Sequence, residues 1–142
     1  MRLALPVLAL ALLVSGCDSS NPLPETCENT SLDVEVEDLT VGTSPARVAA
    51  ADVVRINYVG ALVDGTEFDS GRGVPFDLRQ SISGFREGLT GMRIGGTRRI
   101  TIPPRRGYGG RAQTRFVDGE NVEIIPACSV LVFEVDLLDI LT

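Results

Sequence analysis

Apolar and polar residues alternate in short runs through most of the chain, and the period of two predicts strands. Leu32 to Leu39 places Val34 and Val36 on one face and Glu35 and Glu37 on the other, the pattern of a half-buried strand. Val53 to Leu62 follows, with Val54, Ile56 and Tyr58 on one face. Asp64-Gly65 then reads as a hairpin turn, because glycine supplies the backbone angle such turns need. The return strand starts at Glu67-Phe68-Asp69-Ser70, is interrupted by Gly71-Arg72-Gly73 and resumes at Pro75-Phe76-Asp77-Leu78, so a bulge or loop is expected within it. Thr97 to Ile102, closed by Pro103-Pro104, and Val130 to Leu138 are the remaining strands, with Ile100, Ile102, Leu131, Phe133 and Val135 inward. Between them, Asp118-Gly119 flanked by Phe116, Val117 and Val122 predicts a small extra hairpin in the long loop from Arg105 to Glu123.

One stretch has a different period. From Ser81 to Met92, Phe85, Leu89 and Met92 recur at the i, i+4, i+7 spacing of a helical stripe, and Ser83 is placed to cap the start. Three glycines within so short a segment would leave it unstable alone, since isolated helices under about 12 to 15 residues are marginal in water. Tertiary packing must hold it. The expected fold is therefore α+β, a curved antiparallel β-sheet wrapped around one short helix.

A length of 142 residues, 44% of them apolar, allows one domain with a real core plus appendages. Met1-Arg2, the apolar run Leu3 to Val14 and Ser15-Gly16 together read as a signal peptide over 1–16. The run is shorter than the ~20 residues a membrane-spanning helix needs. Val14-Ser15-Gly16-Cys17 resembles the bacterial lipobox, which implies cleavage before Cys17 and acylation of that cysteine. A lipid anchor would leave the mature chain extracytoplasmic, held to a bacterial membrane on the periplasmic side or at the cell surface. Residues 17–31 carry little to bury and read as a flexible acidic linker, with the domain proper at 32–142.

Charge is unevenly spread: Asp18 to Asp38 holds seven acids and no base, whereas twelve arginines balance twelve acids from Leu39 onward. Losing Arg2 with the leader takes the formal charge from −6 to −7, which argues against nucleic acid as a partner. Leu89 to Val117 contains seven arginines and no acid, either a solvated face or a partner for the acidic strand at Glu35 and Glu37, which would then lie beside Arg99. Such a basic rim could also favour acidic clients. The chain has no histidine and three cysteines, one of them in the lipobox-like motif, which argues against a metal site or a Ser-His-Asp triad. With Cys17 lipidated, Cys27 and Cys128 form an even remainder, and in an exported chain this suggests a disulfide, two unpaired thiols being the alternative.

The order of these features resembles the FKBP family of peptidyl-prolyl cis-trans isomerases over about residues 36 to 140. Ile56-Asn57-Tyr58-Val59-Gly60 is similar to the family's Tyr-x-Gly strand, Asp64 to Ser70 to its DG-x-x-FDS hairpin, and Gly84-Phe85-x-Glu87-Gly88-Leu89 to its pocket helix. Ile102-Pro103, Gly107-Tyr108-Gly109, Ile124-Ile125-Pro126 and Leu131 to Leu138 complete the set. The resemblance implies that Phe68, Phe76, Phe85, Ile125 and Phe133 form the walls and floor of a pocket, with Tyr58 at one side and Asp69 and Tyr108 as its polar members. It implies further that the Ile82 N–H and the Tyr108 hydroxyl receive a substrate carbonyl, and that Asp69, Tyr108, Phe68 and Ile82 carry catalysis. Phe85 stands where the family often has tryptophan, and the loop after Tyr108 is longer than in minimal members.

The chemistry such a pocket would perform needs no nucleophile, metal or cofactor. Rotation about an Xaa-Pro bond is slow because amide resonance raises a barrier of about 18 to 20 kcal/mol. The planar amide is its more polar form, so a dry apolar pocket favours the twisted state relative to water. The resemblance thus implies an isomerase acting on proline-containing polypeptides among exported proteins, monomeric and open to macrolide inhibitors. The alternative is a non-catalytic peptide-binding or chaperone module of the same fold.

Overall fold

Alternating β-branched and aromatic residues build seven strands in the computed structural model, which describes Cys27 and residues 33–142. The expected leader, the lipidation site Cys17 and the linker apart from Cys27 lie outside the described residues. The strands are β1 (Glu35–Thr40), β2 (Val53–Leu62), β3 (Glu67–Asp77), β4 (Thr97–Ile102), β5 (Gln113–Val117), β6 (Glu120–Ile125) and β7 (Leu131–Ile140), with one α-helix, α1 (Ser83–Leu89). Five strands form a sheet in the order β1-β4-β7-β2-β3, every neighbour antiparallel, and β5-β6 is a separate hairpin. Central β7 turns Leu131, Phe133, Val135 and Leu137 inward, where α1 covers them with Phe85 and Leu89. No polar or charged residue is buried among those described, so this core is wholly apolar.

The expected interruption of β3 is a bulge inside a continuous strand. Gly71 pairs with Tyr58 and Val74 with Ile56, so two residues, Arg72 and Gly73, stand against Asn57, whose side-chain oxygen accepts from the Gly73 N–H at 2.9 Å. The hairpin expected in the long loop is present. Its turn residues Asp118 and Gly119 have φ of 51° and 89°, the left-handed pair a two-residue hairpin turn requires.

Two local expectations are corrected. The helix is shorter than Ser81–Met92, and Ser83 does not cap it: Leu78–Gln80 forms a separate 3₁₀ turn that Ser81 closes, and Ile82 occupies the cap position. Ser83 is therefore already inside the first turn, and its hydroxyl donates to the Arg106 carbonyl at 3.3 Å. At the other end Thr90 stops the helix, its N–H and hydroxyl both donating to the Arg86 carbonyl. The second correction is that β1 is exposed on both faces, with Val36 opposite Ile100 yet 45% exposed. Seven helical residues make a cylinder about 10 Å long, too short to cover a five-stranded sheet about 19 Å wide as far as its β1 edge. What holds β1 is its ladder to β4 and its charge: Glu37 faces Arg99, with Nη1 to Oε2 at 3.0 Å, as the acid-rich strand implied.

Candidate active site

Between the inner face of the sheet, the helix and the β5-β6 hairpin lies a cavity of about 220 Å³. Five aromatic rings run round it in sequence of contact. Tyr58 on β2 meets Phe76 on β3 edge-on at 6.2 Å between centroids, Phe76 meets Phe85 of the helix at 5.0 Å, Phe85 meets Phe133 on β7 at 5.0 Å, and Phe133 meets Phe68 on β3 at 5.6 Å. The four rings on β2, β3 and β7 face inward by the strand period, and Phe85 meets them from the helix. Their close approach needs Gly60 beneath them: a Cβ there would stand 2.8 Å from both the Phe68 and Phe133 rings. The edge-on and tilted geometry suits the ring quadrupoles, which disfavour face-to-face stacking.

Polar groups enter this lining in three ways. The Tyr58 hydroxyl donates to the Asp69 carboxylate at 2.9 Å, whose other oxygen accepts from the Ser70 N–H at 2.9 Å. Burial and that carboxylate push the Tyr58 phenol up to about 12, with the Arg115 guanidinium opposing the shift. Tyr108 is raised too, mainly by burial and secondarily by the Asp69 charge, but its hydroxyl has no hydrogen-bond partner among the described residues. Nor has the Ile82 N–H, although the Ile82 carbonyl accepts from Phe85 and Arg86. The cavity wall therefore offers two unused donors, one from a side chain and one from the backbone, within an otherwise apolar surface.

All nine residues singled out from the sequence, Tyr58, Phe68, Asp69, Phe76, Ile82, Phe85, Tyr108, Ile125 and Phe133, line this one cavity. Sequence reasoning did not place Ser81, Gln113, Thr114, Arg115 or Ile124 there. Most of these belong to the hairpin in the loop after Tyr108, which the family resemblance sets over the pocket without naming its lining residues; the Arg115 guanidinium joins it to the cavity wall, donating to the Phe68 carbonyl at 3.1 Å. Phe116, the aromatic left out of the pocket set, is 71% exposed. A wider depression of about 970 Å³ opens on the other face of the sheet, but Tyr58 is its one aromatic and Glu67, Glu134 and Asp136 line it. It lacks the apolar enclosure that desolvation chemistry needs. No group of metal-ligating side chains occurs among the described residues.

Cys27 and Cys128 are joined in a disulfide with Cα atoms 5.4 Å apart. The Cys128 N–H donates to the Gly109 carbonyl at 2.8 Å, and Gly109 follows Tyr108, which lines the cavity.

Comparison with known proteins gives the same assignment. The family model for FKBP-type peptidyl-prolyl cis-trans isomerase matches residues 44–138. The chain belongs to this family. It is 41% identical over 115 residues to FK506-binding protein 1A of Neurospora crassa, covering 77% of this chain and 88% of that protein. To FK506-binding protein 4 of Chaetomium thermophilum it is 40% identical over 112 residues, covering 75% of this chain but 21% of the relative, so it spans about a fifth of that protein's length. Among solved structures, a peptidyl-prolyl cis-trans isomerase from Pseudomonas syringae pv. tomato superimposes with a TM-score of 0.65 at 32% identity, covering 77% of this chain and 76% of that one. The FKBP-like fold, one short helix against a curved antiparallel sheet, is common to both.

Proposed function

We propose that the chain accelerates rotation about Xaa-Pro bonds by holding the amide, part-way through its twist, in the aromatic cavity. The observation that carries this reading is the pair of unpartnered donors, the Ile82 N–H and the Tyr108 hydroxyl, set in a ring of phenylalanines. The proline ring fits among Phe68, Phe85 and Phe133, and the donors take carbonyls of the peptide on either side of it. Twisting removes amide resonance and leaves a less polar bond, so excluding water lowers the barrier relative to solution. No proton has to be transferred. Tyr58 and Asp69 position one another at the cavity edge, while Phe76 and Ile125 close its sides.

The substrates on this reading are proline-containing segments of exported polypeptides, and macrolides that mimic a prolyl amide would compete for the cavity. The acylated Cys17 would hold the enzyme outside the cytoplasm, on a bacterial membrane. The family relationship supports the chemistry, and the lipobox-like Val14-Ser15-Gly16-Cys17 supports the location. The test is a proline-isomerisation assay on the purified chain with and without a macrolide inhibitor, paired with mass measurement of the mature N-terminus. Turnover that the macrolide abolishes, with acyl mass on Cys17, is the expected result. Peptide binding without turnover would select the non-catalytic chaperone module instead.

A further inference from the structure

Leu89 to Val117 carries seven arginines and no acid, and the fold gives them different partners. Arg98 binds Asp38, Arg99 bridges Glu37 and Glu134, and Arg106 reaches Glu87 at 3.7 Å. Arg115 is the one arginine in the cavity lining. It pairs with Val122 across the β5-β6 hairpin, and its Nη2 donates to the Phe68 carbonyl at 3.1 Å. Phe68 is a wall of the cavity, so this exposed guanidinium is pinned beside the aromatic cluster. No carboxylate stands within ion-pair distance of it among the described residues. The hairpin's own acids do not serve: Glu123 lies opposite Thr114, on the other face by strand alternation, and Glu120 lies opposite Val117. A guanidinium has five N–H groups, and one spent on a carbonyl leaves a two-pronged edge open, the geometry that takes a carboxylate bidentately. Asp69 is the other charged group in the lining, and its two oxygens already accept from the Tyr58 hydroxyl and the Ser70 N–H. A negative substrate side chain therefore meets open donors, whereas a positive one meets like charge.

We infer that Arg115 is a specificity-determining residue, favouring prolines that have an aspartate or glutamate as an immediate neighbour in the polypeptide. The inference rests on the proposed use of the cavity as a proline site, and it names the class of segment that site prefers. With the proline ring among Phe68, Phe85 and Phe133, the neighbouring side chains come to the cavity edge, where the carbonyl of Phe68 itself holds the guanidinium. The contact forms away from the bond that twists, so it strengthens the ground state and the transition state alike. It therefore lowers KM and leaves kcat in place. Solvent at the edge keeps the gain modest, as for other exposed ion pairs, and salt screens it.

The experiment uses the full chain in detergent micelles, as the parent and as Arg115→Lys, Arg115→Gln and Arg115→Glu. The probes are short peptides of one sequence carrying Glu or Gln immediately before the proline, or immediately after it. For each variant the readout is the ratio of kcat/KM for the Glu peptide to that for its Gln counterpart, so a general loss of activity cancels. In the parent at low salt the ratio should reach about 3 to 5 in at least one placement, carried by KM. Arg115→Lys, which keeps the charge and loses the fork, should retain part of it. Arg115→Gln should bring the ratio to about 1, and Arg115→Glu should invert it. Raising salt to about 0.5 M should lower the parent's ratio toward 1, a readout that needs no variant to fold. A parent ratio of about 1 in both placements, a preference that survives Arg115→Gln, or one carried by kcat alone overturns the inference. Binding of the same peptides, followed by NMR, separates this outcome from failure of the isomerase reading. Tighter binding of the Glu peptides that depends on Arg115, without turnover of any peptide, rejects the isomerase and keeps the selection. Equal turnover of Glu and Gln peptides rejects the selection and keeps the isomerase.

Discussion

The Tyr58 hydroxyl donates to the Asp69 carboxylate at 2.9 Å, while the hydroxyl of the other tyrosine of the cavity, Tyr108, has no partner among the described residues. Both phenols are raised above their ordinary value, Tyr58 to about 12. They are therefore neutral donors throughout the physiological range, and the rate should be nearly flat between about pH 6 and 8. A bell-shaped profile there would instead require acid-base chemistry. At high pH the sign is set by the raised phenols. The folded state binds more protons than the unfolded one above the ordinary tyrosine value of 10, so stability is complete below that pH and falls as pH rises toward about 12. Alkaline unfolding followed by circular dichroism, with phenolate absorbance recorded alongside, measures it.

Replacing Tyr108 by Phe removes one unpartnered donor and leaves the ring, so kcat/KM should fall about 5- to 10-fold with the melting temperature nearly constant. Asp69→Ala strips the acceptor from Tyr58 and should lower kcat/KM about 10-fold. Steady-state assays on one peptide series decide both. Full activity in the two variants together would remove these residues from the site.

Phe133 touches both Phe68 and Phe85 and is only 6% exposed, so it is at once cavity wall and core. Phe133→Ala should cost about 3 to 5 kcal/mol of stability and most of the activity. Urea unfolding gives the first number. A loss under 1 kcal/mol would show that the ring cluster is not packed as described.

Reduction of the Cys27–Cys128 bond frees a loop spanning 101 residues. Chain entropy sets an upper figure of about 4.7 kcal/mol for a loop of that size, and measured gains are often smaller. The melting temperature should therefore drop on reduction, and hydrogen exchange should quicken around Tyr108 to Cys128. Two thiols that label freely in the oxidised native protein would contradict the bond.

The strands and the cavity were legible in the sequence because both follow from a period of two and a few fixed spacings. Ile56, Tyr58 and Phe68, or Leu131, Phe133 and Val135, announce an inward face by alternation alone. The helix ends were harder, since Ser81 and Ser83 carry the same hydroxyl and only the 3₁₀ turn at Leu78–Gln80 decides which residue begins the first turn. Edge exposure was legible only in part: Val34 and Val36 alternate as a covered strand does, and Val34 does pack against the core, but Val36, two residues further along the edge strand, is exposed. Arginines were the least readable. Arg98 looked like part of a solvated run, yet its side chain is 12% exposed and binds Asp38 at 2.6 Å and the helix-end carbonyl of Gly88 at 2.9 Å. The period of two puts Arg98 on the inward face with Ile100 and Ile102 and Arg99 on the other, where it bridges Glu37 and Glu134 at the surface, but it does not name the partners.

The fastening of Cys27 to Cys128 also fixes how the domain bears load. A pull on the chain ahead of Cys27 enters the fold through a covalent bond beside Tyr108 and Gly109, and not through β1, the exposed edge strand that would otherwise peel from β4 one residue pair at a time. Oxidised, the domain takes the pull beside Gly109; reduced, it takes it at an exposed edge strand. Extension in an optical trap should show the difference as a higher rupture force before reduction than after.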